Sequence, residues 1–101
     1  MKKILLCCSA GMSTSMLVKK MQQAAESKGI ECKIDALSVN AFEEAIQEYD
    51  VCLLGPQVRF QLEELRKMAD EYGKNIAAIS PQAYGMMKGD EVLQQALDLI
   101  N

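Results

Sequence analysis

Lys3-Ile4-Leu5-Leu6-Cys7-Cys8, followed by Ser9-Ala10-Gly11-Met12-Ser13-Thr14-Ser15, is the stretch on which the fold is read. Residues 3–8 are built on the apolar run from Ile4 to Cys7 and lack the alternation of a half-exposed strand. They read as a strand buried on both faces. Residues 9–15 are small or carry hydroxyls, and a helix follows them. A loop whose backbone N–H groups all turn toward one anion needs small side chains. The helix start adds unpaired N–H groups and the positive end of its dipole. The same field favours a thiolate over a thiol. Cys8 therefore reads as a nucleophile that accepts a phosphoryl group on sulfur.

Beyond this stretch the chain alternates short apolar runs with longer amphipathic ones. A helix is expected over about 13–28, with Leu17, Met21, Ala24 and Ala25 on its inner face and Gly29 as its stop. Residues 31–37 form a second strand. Asn40, with Glu43 three positions later, gives an Asn form of the capping box. The helix it opens turns Phe42, Ala45, Ile46 and Tyr49 inward. Val51-Cys52-Leu53-Leu54 is the third strand, stopped by Gly55-Pro56. A third helix carries Val58, Leu62, Leu65, Ala69 and Tyr72 at helical spacing and ends at Gly73. Residues 76–80 make a fourth strand, and Asp90 caps a last helix with Leu93, Ala96, Leu97 and Ile100 on one face.

This order predicts an α/β fold: a single open four-stranded parallel sheet with helices on both faces, a three-layer sandwich with right-handed crossovers. The phosphate-binding loop follows strand 1. Ligands of such sheets bind beyond the carboxyl ends of the strands. Residues 8–15, Gly55-Pro56-Gln57 and residues 80–89 all fall at that edge. The last of these reads as a polar, Met-containing connection holding Tyr84-Gly85.

A length of 101 residues suits one domain spanning 1–101. The net charge of −3 and the lack of a basic cluster larger than Lys19-Lys20 or Arg66-Lys67 argue against nucleic acid. No apolar run approaches 18 residues, so no transmembrane helix is expected. The apolar run after Lys2-Lys3 is too short for a signal peptide. Both observations point to the cytoplasm, where thiols stay reduced. The four cysteines form no C-x-x-C pair and the chain has no His, so neither a metal site nor a redox motif is expected. No cofactor is called for. Cys7, Cys32 and Cys52 lie in apolar or strand-like runs and read as core.

A Cys-centred phosphate loop has a mechanistic neighbour in the C-x5-R pattern of tyrosine phosphatases. Six residues after Cys8 stands Thr14, and the first Arg of the chain is Arg59. The missing guanidinium would clamp the equatorial oxygens and stabilise the transition state of hydrolysis. Without it, and without His, a phosphocysteine should form only from an activated donor and hydrolyse slowly. That behaviour suits a carrier better than a hydrolase. Arg59 or Arg66 folded back onto the loop would reopen the phosphatase or arsenate-reductase alternative. A regulatory domain that senses phosphorylation through Cys8 is a third reading.

The loop from Cys8 to Ser15 resembles the active-site loop of enzyme IIB subunits of the sugar phosphotransferase system, lactose/cellobiose/chitobiose class. Leu53-Leu54-Gly55-Pro56-Gln57 and Tyr84-Gly85 are similar to segments of the same family, as are the length and element order. The resemblance implies the same four-stranded parallel sheet. It also implies that Cys8 takes phosphoryl from a phosphohistidine of a IIA partner. Cys8 would then pass it to a sugar of the β-glucoside or disaccharide class held by a membrane IIC permease. The chain would be peripheral to that permease, without direct membrane insertion. The amides of Ser9, Ala10, Gly11, Met12, Ser13, Thr14 and Ser15 would cradle the phosphate, with hydroxyls adding contacts. Gly11 would let the backbone approach closely. Gln57 and Tyr84 would be auxiliary neighbours touching the loop or a partner; a helix-start residue and a half-buried aromatic are their ordinary explanations. A carrier that docks unlike partners needs an adaptable rim, for which Met12, Met16, Met86 and Met87 are candidates. Of these, Met16 reads better as core.

Overall fold

The computed structural model describes residues 1–8 and 12–100. The chain runs β1 (Lys2–Cys8), α1 (Met12–Ser27), β2 (Cys32–Ser38), α2 (Phe42–Ala45), β3 (Val51–Leu54), α3 (Leu62–Glu71), β4 (Asn75–Ala78), α4 (Pro81–Gly85) and α5 (Gly89–Leu99). Short 3₁₀ turns at Val39–Ala41, Ile46–Glu48 and Pro56–Gln61 complete the connections. The four strands are all parallel, in the order β2-β1-β3-β4. The expected α/β architecture is the one formed.

Alternation along β1 sorts the core. Ile4 and Leu6 join Leu17, Met21, Tyr84, Val92 and Leu93, beneath α1, α4 and α5. Leu5 and Cys7 join Phe42, Ile46, Val58, Leu65 and Ala69, beneath α2 and α3. Both faces of β1 are therefore covered, which is why its sequence shows no polar alternation. Each fully buried Leu or Ile contributes about 1.5–3 kcal/mol. The chain leaves β1 for β2 on one side and later returns to β3 on the other. That reversal puts the sheet's switch point between the carboxyl ends of β1 and β3.

Several expected boundaries move, each for a local reason. Asn40 does not cap: Ser38 acts first, its Oγ accepting the Asn40 N–H at 3.3 Å, and the region folds as α2 flanked by 3₁₀ turns. The Val58 spacing passes through a kinked 3₁₀ segment with Val58 at φ −120°, so α3 begins only at Leu62. Tyr72 is not an inward residue. It ends α3, is 40% exposed, and accepts a hydrogen bond from Gln47 Nε2. The fourth strand is 75–78 rather than 76–80, because Ser80 and Pro81 open α4 inside the stretch read as a connection. Ser80 Oγ accepts from the Ala83 N–H at 3.1 Å, and Pro81 occupies a first-turn position that needs no donor. Asp90 falls in the first turn of α5 and Lys88 takes the cap position, since the backbone already turns at Met87.

Candidate active site

Cys8 closes β1 at the switch point and is fully buried. On the β3 side the ladder continues one residue past Leu54, with the Gly55 N–H donating to the Cys7 carbonyl at 2.8 Å. A Cβ at Gly55 would lie 3.4 Å from Cys8 Cβ and 2.7 Å from Gln57 Oε1. Gly55 thus brings the third strand's exit against Cys8 and sets the Gln57 amide on the other side of the same point. Its φ of −62° is open to any residue, so the glycine is there for space. The sequence places Gly55-Pro56-Gln57 at the ligand edge as a strand stop but gives Gly55 no packing role; glycine directly before proline at a strand end is the available signal.

On the α1 side, Thr14 is fully buried and its Oγ1 lies 2.9 Å from the Tyr84 hydroxyl. The 16-residue helix α1 thus meets α4 through a polar pair inside an otherwise apolar cluster. A pair of this kind contributes about 0.5–1.5 kcal/mol, and either hydroxyl left alone would cost about 1–3 kcal/mol. Tyr84 is held from both ends of its five-residue helix. Ser80 caps the start, and the Met87 and Lys88 N–H groups close the end on the Tyr84 and Ala83 carbonyls. Met87 occupies the left-handed position of this closure at φ 52°, where glycine is usual. Ser15 is exposed. Ser9, Ala10 and Gly11, with the side chains of Met12 and Ser13, lie outside the described residues.

The remaining thiols are separate from the Cys8 site. Cys7 points to the opposite face, where Cys52 Sγ donates to Cys7 Sγ at 3.8 Å. Burial, and then the contact with Cys7, push the Cys52 thiol well up. Cys32 is half-buried, and burial raises its thiol against the opposing charges of Lys2 and the N-terminus. A raised thiol is a poor nucleophile at neutral pH. Cys7, Cys32 and Cys52 are core or core-flanking, as read.

Charge and exposed apolar side chains characterise the segments around Cys8. All 14 acidic residues lie outside the segments 8–25, 36–42, 55–62 and 79–89, which include the β2 exit paired with Cys8 at Ser38, while Lys19, Lys20, Arg59 and Lys88 lie within them. The first turn of α1 holds no carboxylate to compete for its dipole. Three large apolar side chains of these segments are open: Met16 at 59%, Phe60 at 80% and Met86 at 67%. Met16 is therefore not core, because it lies off the Leu17–Met21 stripe. Phe60 was not anticipated, although it too lies off the Val58–Leu62–Leu65 stripe. Met87 packs half-buried against the core. Arg59 and Arg66 are exposed, and neither makes an ion pair among the described residues.

Residues 3–95 match the family described as "PTS system, Lactose/Cellobiose specific IIB subunit". The chain belongs to this family. The oligo-beta-mannoside-specific EIIB component of Bacillus subtilis (strain 168) is 46% identical over 100 residues, covering 99% of this chain and 97% of that one. The solution structure of the cellobiose-specific phosphotransferase IIB component from Borrelia burgdorferi superimposes with a TM-score of 0.82 at 41% identity, over 99% of this chain and 92% of that one. The lactose-specific IIB component domain of Streptococcus pneumoniae superimposes at 0.89 with 22% identity, over 99% and 98%, which shows the shared fold. A lactose-specific EIICB component of Streptococcus mutans is 28% identical over 81 residues, 80% of this chain and 14% of that protein. As a IIB component of a sugar-specific phosphotransferase system, the chain is a phosphotransferase. Among the described residues, no helix is long and apolar enough to cross a membrane.

Proposed function

We propose that this IIB component, residues 1–101 acting as one carrier domain, holds a phosphoryl group on Cys8 in transit from a IIA phosphohistidine to a sugar. The observation that carries the reading is the setting of Cys8. It ends the central strand at the sheet's switch point, against Gly55 and ahead of α1, among segments that hold no carboxylate. The Cys8 thiolate attacks phosphorus, the P–N bond to the donor imidazole breaks, and the P–S bond forms as the imidazole leaves with its pair. Amides of residues 9–15 receive the phosphoryl oxygens, and the α1 dipole favours their charge by about 0.3–1 kcal/mol. A carboxylate-free surround avoids repelling the dianion. With no His in the chain and no Asp or Glu in these segments, nothing nearby activates water, so the phosphothiol persists until a sugar hydroxyl takes it.

Because Cys8 is fully buried, docking must uncover the sulfur. The exposed Gln57 side chain, whose amide lies beside Gly55, is able to swing aside. Met16, Phe60 and Met86 supply apolar contact to successive partners at one rim. The recipient is a sugar of the β-glucoside or disaccharide class held by a IIC permease. Joining of a IIB-like unit to a IIC unit in EIICB relatives supports that partner. The carrier would work at the cytoplasmic side of the permease.

Mass spectrometry after incubation with a phosphorylated IIA of this class tests the reading. One phosphate is expected on Cys8, absent in Cys8→Ser and retained in Cys32→Ser and Cys52→Ser. An unmodified Cys8 would overturn it.

A further inference from the structure

We propose that Tyr84 is a positioning residue for phosphoryl transfer, acting through Thr14 and touching neither the phosphate nor a partner. Its phenol donates to Thr14 Oγ1 and leaves the Thr14 hydroxyl hydrogen to the phosphoryl group on Cys8. This rests on the carrier reading above and adds a residue and a role to it.

Thr14 is the only polar residue among the described ones whose side chain belongs to the fully buried set. Its partner comes from 70 positions away, and the two hydroxyls meet at 2.9 Å beneath α1. Packing alone does not call for them, since a Val and a Phe would fill the same volume in this apolar cluster without a polar atom to satisfy. A threonine hydroxyl has one hydrogen and two lone pairs, and a phenol can give its own hydrogen. When Tyr84 donates, the Thr14 hydrogen is left over, and Thr14 sits in the first turn of the helix that follows Cys8. When no anion is present, the pair can reverse, with Thr14 donating to Tyr84. Phosphorylation thus selects one sense of a hydrogen bond already in place.

The surroundings hold Tyr84 for this task. The Ser80 cap and the Met87 closure fix α4 at both ends. Five residues beyond Tyr84, Gly89 packs so closely on α1 that an added Cβ would stand 2.5 Å from the Lys20 carbonyl carbon. The corner carrying Tyr84 is therefore clamped to α1 at two points, Thr14 and Lys20. A rigid donor orients a hydroxyl at little entropic loss when the phosphate arrives.

The test follows Cys8 phosphorylation of the full chain against increasing phospho-IIA concentration. Tyr84→Phe is expected to lower the limiting rate about threefold to fivefold, because Thr14 keeps its hydrogen but loses the donor that orients it, with the half-saturating donor concentration changed less than about twofold. Thr14→Val should lower it about tenfold, the worth of one hydrogen bond to a charged group, the double variant no further than Thr14→Val, and Thr14→Ser, which keeps the hydroxyl, should recover most of the rate. A Tyr84→Phe protein that transfers at the wild-type rate overturns the proposal while leaving the carrier reading intact. So does a loss confined to the half-saturating concentration, or losses that multiply in the double variant. A wild-type Cys8 that takes no phosphate overturns both. Should a variant fail to fold, NMR of phosphorylated wild type decides: coupling of the Thr14 hydroxyl proton to phosphorus is expected, and coupling of that proton to neither phosphorus nor solvent, with Tyr84 as its acceptor, refutes the proposal.

Discussion

The turns out of the helices and the turns into them use glycine for opposite reasons. Gly29 ends α1 and Gly73 ends α3, at φ 69° and 68°, and a Cβ on either would meet nothing within 4 Å. In each case the next residue's N–H reaches back five positions, Ile30 to Ala25 and Lys74 to Ala69, both at 2.9 Å. These glycines supply backbone conformation in open space. Gly55 and Gly89 lead into helices with no such φ, yet each is crowded, one by Cys8 and Gln57 and the other by the Lys20 backbone. They supply room. The difference teaches where tolerance lies: the returns to the sheet obey local rules, whereas the entries at Gly55 and Gly89 are fitted to distant residues, one to Cys8 and the other to α1.

Gly89→Ala tests the contrast most severely. Its methyl meets backbone atoms that cannot rotate away, so a loss of about 3 kcal/mol is expected, at the upper end of overpacking effects. Urea unfolding monitored by far-ultraviolet circular dichroism measures it, and a loss below about 1 kcal/mol would place Gly89 with the exit glycines. Gly29→Ala and Gly73→Ala should each cost about 1 kcal/mol, from the left-handed backbone alone, with phosphoryl transfer unchanged. Gly55→Ala should change stability by less than about 0.5 kcal/mol, because the nearest atom, Gln57 Oε1, is the end of a flexible side chain. The rate of Cys8 phosphorylation should still fall several-fold, since the methyl displaces that amide beside the sulfur-bearing residue. Stability and transfer would thus separate at Gly55 and not at Gly29.

The smallest effect belongs to the far side of the sheet, at Tyr49 just ahead of β3. The Tyr49 hydroxyl donates to Asp35 Oδ2 at 2.7 Å, and burial, followed by that hydrogen bond and the Asp35 charge, pushes its phenol up to about 12. The unfolded chain releases this proton near pH 10. The contribution is whole below about pH 10 and is lost as pH rises toward 12. Denaturant midpoints taken across that window should fall for the wild type and flatten in Tyr49→Phe. An unchanged slope in the variant would remove Tyr49 from the account.

Legibility in the sequence followed the range of the forces involved. β1 and β3 were readable because burial on both faces leaves an uninterrupted apolar run. The ends of α1 and α3 were readable because Gly29 and Gly73 satisfy a rule confined to one turn of chain. By contrast α4 was read as a connection, because five residues are too few to show a helical period. Its Ser80-Pro81 start was the overlooked mark. Asn40 and Asp90 look like caps in isolation, yet Ser38 and Lys88 hold those positions once neighbouring turns have formed. Met16 and Phe60 were legible in principle, since each lies off the apolar stripe of its segment, but large apolar side chains are more often inside and only the fold leaves these two open.

The sequence by itself determined the parallel α/β sandwich, the position of Cys8 at the end of its first strand, and membership of the IIB family. Each is written in contiguous residues, through burial, small side chains and helix termini. Only the tertiary structure decided that Gly55 stands against Cys8 and that Tyr84 meets Thr14. Those contacts join residues 47 and 70 positions apart. They depend on strand order and register, which no local pattern of residues encodes.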